Sequence, residues 1–304
     1  MSGFISEFFG YRAEDNSETA LSIALQQTCP FLNGRCTKNL SRDNIKSGVC
    51  SIRPASKDAK PVICCPVRLY AEDYKVLREV SSKAFGKGIN LYAGRVALLK
   101  AKEEGAAVAV FGKGWGGELH LPQRSGTGAY FVDWVLALID SEGNLQEFVA
   151  IEVQTIDTTG NYRSARKALL ETREIVSDTV GFNWENVAKR IIPQVIYKGQ
   201  VLQREELCKR GLYFVCPKAV YDKILKRLGG KERLAKIPTQ PASIHFIAYD
   251  YVDFDISDGE IKKLGLVEEH NTSVYKVQEA FSSLDLPNEN IYRDAILKAL
   301  RENT

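Results

Sequence analysis

Two acidic side chains lie within apolar segments that are typical of buried β-strands. Asp133 lies in YFVDWVLAL, and Glu152 lies in VAIEVQ, two positions before Gln154. Because successive side chains of a strand point to opposite faces, Glu152 and Gln154 share one face. An ionised carboxylate there is costly unless a cation or hydrogen bonds compensate it. Oxygen ligands of this kind suit Mg2+, which can polarise a phosphodiester and activate a water molecule.

The two acids would lie close together if their segments form a hairpin. Residues 141–144, with the sequence SEGN, are rich in turn-forming residues and join the two segments. Glu118, in GGEL, is a further candidate, either as a second metal ligand or as an acid that orients water. The alternative is that Asp133 and Glu152 are neutralised by Arg, Lys or backbone N–H groups, and that Glu118 is an exposed residue at the start of a strand.

Cysteines form a second group of candidate ligands. Five of the seven cysteines lie between residues 28 and 66, in a segment rich in Pro, Gly, Asn, Ser, Lys and Arg. Such a segment buries too little apolar surface to fold without a metal ion or extensive packing. Cys29, Cys36, Cys50 and Cys65 have the spacing C-x6-C-x13-C-x14-C, and four thiolates suit zinc or iron in a closed, structural site.

The fourth cysteine ligand is not fixed by the spacing. Pro directly follows both Cys29 and Cys65, which favours Cys65 over the adjacent Cys64. Cys64, Cys208 and Cys216 are expected to be ordinary buried thiols.

A basic helical face follows the segment that contains Glu152. Arg163, Arg166 and Lys167 have the i, i+3, i+4 spacing of one helix face. They could contact phosphates or the edges of guanine bases, since Arg is the commonest reader of guanine. The alternative is a solvated surface without a partner.

The order of the elements predicts the fold that must position these residues. Strands are expected at 106–112, 129–140, 147–157, 211–217 and 242–254, and helices at 71–85, 91–105, 162–177, 218–230 and 288–300. This order indicates an α/β core, and the apolar strands indicate that both faces of its sheet are covered. The length of 304 residues suggests one large domain with an appendage, and the net charge of +3 neither requires nor excludes nucleic acid.

The N-terminus lacks a basic start followed by a long apolar run, so no signal peptide is expected. No apolar run approaches the length of a membrane span. A cytoplasmic location is therefore expected, and the odd number of cysteines agrees with a reducing compartment.

The chain resembles the PD-(D/E)XK nuclease superfamily, in a variant where Gln154 takes the place of the usual lysine. It resembles the NotI-type restriction endonucleases more closely. The matching segments, besides the cysteine-rich one, are SEFFGYR (6–12), GGEL (116–119), FVDWVLA (131–137), EVQTIDTTGNY (152–162) and NVAKR with QVIYK (186–198).

The resemblance implies a central mixed sheet flanked by helices, preceded by a loop-rich four-cysteine region. The corresponding divisions are 1–85 for the cysteine region, 86–230 for the catalytic core, and 231–304 for a C-terminal strand and helices packed on that core. Asp133 and Glu152 would hold a catalytic Mg2+. The cysteine site would hold iron, with zinc as the alternative.

The implied activity is that of a type II restriction endonuclease. Such an enzyme would act as a homodimer and hydrolyse both strands of duplex DNA at a short palindromic, G·C-rich site. Two alternatives remain: a repair or structure-specific nuclease of the same superfamily, and a non-catalytic DNA-binding protein stabilised by a metal.

Overall fold

The computed structural model describes residues 2–40, 45–119, 131–253, 255–283 and 288–302. In these ranges the strands are β1 (Gly3–Phe8), β2 (Tyr11–Arg12), β3 (Thr28–Cys29), β4 (Gly34–Arg35), β5 (Val49–Pro54), β6 (Val62–Ile63), β7 (Leu91–Ala93), β8 (Ala106–Gly112), β9 (Trp134–Asp140), β10 (Leu145–Val153), β11 (Thr158–Gly160), β12 (Val180–Phe182), β13 (Leu212–Pro217), β14 (Ser243–Tyr251) and β15 (Leu264–Ser273). The α-helices are α1 (Glu18–Gln26), α2 (Ala71–Phe85), α3 (Val96–Glu104), α4 (Arg163–Glu171), α5 (Ile192–Leu202), α6 (Lys218–Arg227), α7 (Val274–Ser282) and α8 (Ile291–Glu302).

A seven-stranded mixed sheet forms the centre of the fold, in the order β15-β14-β13-β10-β9-β8-β7. Strands β8, β9 and β10 form an antiparallel meander, and β13 then pairs parallel to β10. The α4–α5 segment connects β10 to β13, since two parallel neighbours need a crossover. The predicted α/β architecture with a central mixed sheet flanked by helices is therefore confirmed.

The predicted hairpin between the two acid-containing segments is present. Strands β9 and β10 are antiparallel, with Ile151 opposite Trp134 and Leu145 opposite Ile139. Asp140 closes the turn, because its Oδ1 accepts hydrogen bonds from the backbone N–H groups of Glu142 and Asn144 at 2.9 and 2.8 Å. A turn that is closed by its own side chains also fixes the register of the hairpin.

Both faces of the sheet are covered by helices, as the apolar strands predicted. On one face, Val76, Leu77 and Val80 of α2 pack against a cluster that includes Ile151 and Val153 of β10. On the other face, apolar residues of α4 to α7 form a second cluster with alternate residues of the same strands. Glu152 lies between Ile151 and Val153, and its side chain therefore points to the face that α5 covers.

The cysteine-rich segment contains more regular structure than its composition indicated. Strands β5 and β6 join a four-stranded sheet in the order β2-β1-β5-β6. The composition indicated a loop-rich segment; it did not reveal these strands, because they are short and β5 pairs with β1, which lies outside the segment. A buried ion pair links this sheet to the rest: Arg68 Nη2 lies 3.0 Å from Glu7 Oε1, and Tyr251 of β14 donates a 2.6 Å hydrogen bond to Glu7 Oε2.

The C-terminal part of the chain continues the central sheet. Strand β14 pairs parallel to β13, and β15 pairs antiparallel to β14. The division expected at residue 230 therefore falls between strands of one sheet. Within the described residues, no helix is both long enough and apolar enough to cross a bilayer.

Candidate functional site

Asp133 and Glu152 are brought together at the end of the β9–β10 pair. The pairing of Trp134 with Ile151 places the preceding Asp133 beside the following Glu152. Asp133 Oδ2 accepts a 2.8 Å hydrogen bond from the backbone N–H of Val153, which fixes its carboxylate against β10. The two acids predicted to converge therefore lie at one location.

The pKa values of both carboxyl groups are raised. Burial, followed by the neighbouring charge of Asp133, raises the pKa of Glu152 to about 7, although Lys198 acts in the opposite direction. Burial also raises the pKa of Asp133, against the lowering effects of the Val153 N–H and Lys198. Two carboxyl groups that resist ionisation together are a common feature of metal and catalytic sites.

Lys198 of α5 supplies the cation at this site, and the sequence did not identify it. Its Nζ lies 2.6 Å from Glu152 Oε2, and the two side chains are only 12% and 9% exposed. The sequence contains one local signal. Val195, Lys198 and Leu202 have the i, i+3, i+7 spacing of one helix face, and both apolar members of this face are buried. A lysine on such a face must have a partner within the protein.

Gly199 allows α5 to approach the sheet closely. A Cβ atom at this position would lie 2.8 Å from Ile244 Cδ1 and 3.0 Å from Val274 Cγ2. The adjacent Lys198 is therefore carried on a helix that packs tightly against β14 and α7. This packing explains how a side chain distant in sequence reaches Glu152.

The carboxylate of Glu152 is not fully satisfied by Lys198. Despite the 2.6 Å contact, Glu152 Oε2 is buried and makes no hydrogen bond of normal geometry. The ammonium group thus compensates the charge but leaves lone pairs available. An oxygen donor of this kind, beside Asp133, fits a hard cation such as Mg2+.

Gln154 is held by its own strand end. Its Nε2 donates a 2.8 Å hydrogen bond to the carbonyl oxygen of Thr155, and its backbone N–H donates to Val215 O. The amide is partly buried and follows Glu152 by two residues, as the alternation of the strand requires. The positive charge of the site therefore comes from α5 and not from position 154.

The loop at residues 112–117 leads the chain from β8 to Glu118. Gly112 forms backbone bridges with Trp115 and Gly116, so the loop folds back on the end of β8. A Cβ at Gly116, where φ is +82°, would lie 1.8 Å from Val110 O, and a Cβ at Gly112 would lie 2.2 Å from Trp134 Cε3. Only glycine fits these two positions.

Glu118 lies near Asp133 but is exposed. Both residues line a cavity of about 720 Å3 whose other walls are mostly apolar. Glu118 is also among the groups that raise the pKa of Asp133. Across the described ranges, however, no three His, Cys, Asp or Glu side chains are arranged so that they could hold one metal ion. Asp133 and Glu152 form a pair to which Glu118 is peripheral.

The basic residues of α4 do not form one accessible face. Arg163 and Lys167 are exposed, and Lys167 Nζ lies 3.8 Å from Glu171 Oε2. Arg166 is buried, and its Nε donates to the carbonyl oxygens of Lys46 and Ser47 at 2.8 and 3.2 Å. In this conformation Arg166 holds α4 against the cysteine-rich segment and is largely shielded from solvent.

The four predicted cysteine ligands lie around one small cavity. Cys29, Cys36, Cys50 and Cys65 are all buried, are not in disulfides, and line a space of about 10 Å3, the size of a single atom or water. Cys64, which lies outside this lining, forms instead a contact with Lys38. Four thiolates are the ligand type that zinc or iron prefers. Among the described residues, however, the four sulfur atoms are not arranged closely enough to hold one metal ion.

The chain matches one family of known proteins. A model of the family described as "Restriction endonuclease NotI" matches residues 16–250, which is more than half of the chain. No curated protein matches the sequence. The matched range contains the central sheet from β7 to β14, the paired carboxylates and all seven cysteines. The chain therefore belongs to the NotI restriction endonuclease family and is a site-specific deoxyribonuclease of type II.

Proposed function

We propose that this enzyme has a PD-(D/E)XK core and cleaves both strands of duplex DNA in a Mg2+-dependent reaction. The observation that supports this most directly is the buried arrangement of Asp133, Glu152 and Lys198. It lies at the end of the β9–β10 pair, in a sheet where the segment that carries α4 and α5 connects β10 to the parallel strand β13. Two carboxylates that can hold a metal ion and an ammonium group that can stabilise developing negative charge suit phosphodiester hydrolysis.

Each residue of the site has a proposed task. Asp133 and Glu152 would hold Mg2+, which, when bound, polarises the phosphodiester and lowers the pKa of a water molecule. Lys198 would stabilise negative charge next to Glu152, the task that a neutral Gln154 cannot perform. Gln154 would orient water or phosphate by hydrogen bonds. Glu118, at the cavity wall, would act as an additional water-orienting acid.

The substrate is proposed to be a short palindromic, G·C-rich duplex site. A palindrome has two-fold symmetry, so a homodimer with one active site per strand is the simplest arrangement. Arg163 and Lys167, which are exposed on α4, are the remaining DNA-contact candidates from the sequence. Cys29, Cys36, Cys50 and Cys65 are proposed to hold a structural iron ion, with zinc as the alternative.

A digest of plasmid DNA tests the activity. The purified protein should produce the same discrete fragments from a given plasmid in every preparation when Mg2+ is present, and none when Ca2+ or EDTA replaces it. Cleavage that requires branched or mismatched DNA would indicate a repair or structure-specific nuclease. Binding without cleavage under all conditions would indicate a non-catalytic protein.

The pKa of Glu152 gives a second expectation. A carboxyl group with a pKa raised to about 7 is protonated below that pH, so protons and Mg2+ compete for it. The Mg2+ concentration that gives half-maximal cleavage should therefore rise as the pH falls from about 8 to about 6, by up to about tenfold per unit below the pKa. Initial rates measured against Mg2+ at constant ionic strength would show this, and equal half-saturation at both pH values would contradict it.

A further inference from the structure

The first turn of α2 is left-handed. Glu72, Asp73 and Tyr74 have φ angles of 56°, 53° and 57°, with ψ angles of 46°, 59° and 38°. For residues other than glycine this conformation brings Cβ close to a carbonyl oxygen, and such residues adopt it singly and not in succession. Backbone of this kind persists only where other contacts enforce it, and it is concentrated at functional sites.

Exposed ion pairs contribute little to holding this turn. Arg78 Nη2 donates a 2.6 Å hydrogen bond to the carbonyl oxygen of Glu72, and Arg78 Nη1 lies 3.0 Å from Asp73 Oδ2. The side chains of Arg78 and Asp73 are 42% and 85% exposed, however, and an ion pair in water stabilises a structure only slightly. The contacts that enforce the turn therefore lie on the side that faces the protein, where Tyr74 packs.

Tyr74 packs against two tryptophans and the glycine loop. Its ring centroid lies 5.3 Å from that of Trp134, in an edge-on arrangement, and 5.4 Å from that of Trp115. Its hydroxyl lies over the loop, because a Cβ atom at Gly114 would be 3.1 Å from Tyr74 Oη. The direction of a Cα–Cβ bond follows from the backbone conformation, so the left-handed turn determines where this ring points.

Trp134, the neighbour of Asp133 in the chain, is held from several sides. It is 1% exposed, and its Nε1–H donates a 3.1 Å hydrogen bond to Tyr70 Oη. The ring of Tyr70 also packs edge-on against the indole, with the centroids 5.4 Å apart. A Cβ atom at Gly112 would lie 2.2 Å from Trp134 Cε3 and 2.7 Å from Asp133 O. The backbone of Asp133 is therefore enclosed between a fixed indole and the start of the glycine loop.

We propose that the left-handed turn of α2 positions Asp133 for catalysis. The turn directs Tyr74 against Trp134, and Tyr74 together with Tyr70 fixes the indole and thereby the backbone from which the Asp133 carboxylate extends. The inference rests on the proposed function, in which Asp133 holds Mg2+ together with Glu152. Tyr74 and Tyr70 are positioning residues that act through Trp134. A shift of Asp133 by about 1 Å would be enough to slow the chemical step strongly.

Replacing the ring of Tyr74 tests the positioning role. Tyr74→Leu should lower the single-turnover rate of plasmid cleavage by about tenfold to a hundredfold and raise the Mg2+ concentration that gives half-maximal cleavage. DNA binding in Ca2+ should persist, and Tyr74→Phe, which keeps the ring, should retain most of the rate. Phe85→Leu is the matched control. It removes another partly buried ring of α2, about three turns away, and should lower the melting temperature without slowing cleavage.

Glycine substitutions test the handedness of the turn in solution. Glycine adopts a positive φ without a Cβ clash, so Glu72→Gly should raise the melting temperature by about 1–3 °C. Ser82→Gly, at an exposed position in the right-handed part of the same helix, should lower it. A lower melting temperature in both variants would show that the turn is right-handed in solution and would overturn the proposal.

Tyr70→Phe gives the same kinetic test if Tyr74→Leu does not fold. It removes only the hydroxyl that accepts the indole N–H of Trp134, and it should slow cleavage by about tenfold. Full cleavage rate in folded Tyr74→Leu, or in folded Tyr70→Phe where the first variant does not fold, would overturn the positioning role while leaving the metal site intact. Unaltered protein that does not cleave DNA in Mg2+ would overturn the proposed function itself.

Discussion

Glu152→Ala is expected to lower the rate of DNA cleavage by about 10³-fold or more, because it removes a ligand from the proposed Mg2+ site and several kcal/mol of transition-state stabilisation with it. The carboxylate is buried beside Asp133, and no other described acid is positioned to replace it. Single-turnover cleavage of a plasmid would measure the rate. DNA binding in Ca2+, measured by gel shift, should persist, since the variant changes the metal site and not an exposed surface.

Loss of activity must be separated from loss of folding. Removing Glu152 takes away the partner at 2.6 Å from the largely buried Lys198, and breaking such a buried pair typically costs about 3–5 kcal/mol. The double variant Glu152→Gln with Lys198→Met keeps the charge balance and should recover thermal stability without recovering cleavage. Glu142→Gln, at the exposed turn of the same hairpin, should cleave normally. Normal cleavage by folded Glu152→Ala would refute the assignment of the active site.

The second large effect is expected at Lys198. Lys198→Met should reduce the cleavage rate by about 10²- to 10³-fold, which is the typical cost of removing one group that stabilises developing charge. Its ammonium group is the cation at 2.6 Å from Glu152, whereas Arg166 is buried and donates to the carbonyl oxygens of Lys46 and Ser47. The effect should fall on the rate of the chemical step and not on DNA affinity, because Lys198 is largely enclosed.

A conservative change tests whether Lys198 acts in chemistry or only supports the fold. Lys198→Arg keeps the positive charge but not the shape of the amine, so it should preserve thermal stability better than activity. Lys189→Met, at an exposed lysine one helical segment earlier, is the matched control. If Lys198→Met retains full activity after its stability is restored by excess Mg2+ or lower temperature, the ion pair is purely structural.

The sequence identified features that depend on local pattern. The hairpin between β9 and β10 follows from two apolar segments and a short turn, and strand alternation then places Asp133 beside Glu152. The convergence of Cys29, Cys36, Cys50 and Cys65 on one cavity likewise follows from their clustering in one segment, while their binding of a metal stays a prediction. In both cases the relevant residues lie within one or two adjacent elements.

Features that depend on distant contacts were not predicted. Lys198 reaches Glu152 only because α5 packs closely at Gly199, a contact that no local pattern specifies. Arg166 has the spacing of an exposed basic face, yet its guanidinium is buried against Lys46 and Ser47. The β1–β5 pairing was missed for the same reason, since its two strands are separated by a helix and by most of the cysteine segment.

The glycine loop after β8 has a practical consequence for directed evolution of this enzyme. Saturation libraries across residues 112–117 would consist mainly of non-folding clones if Gly112 and Gly116 were randomised, because a methyl group at either position overlaps existing atoms. The exposed Lys113 and the half-buried Trp115 are the positions in this segment where chemical diversity can be introduced. A library restricted to these two residues would sample new side chains near Glu118 while the path of the backbone stays unchanged.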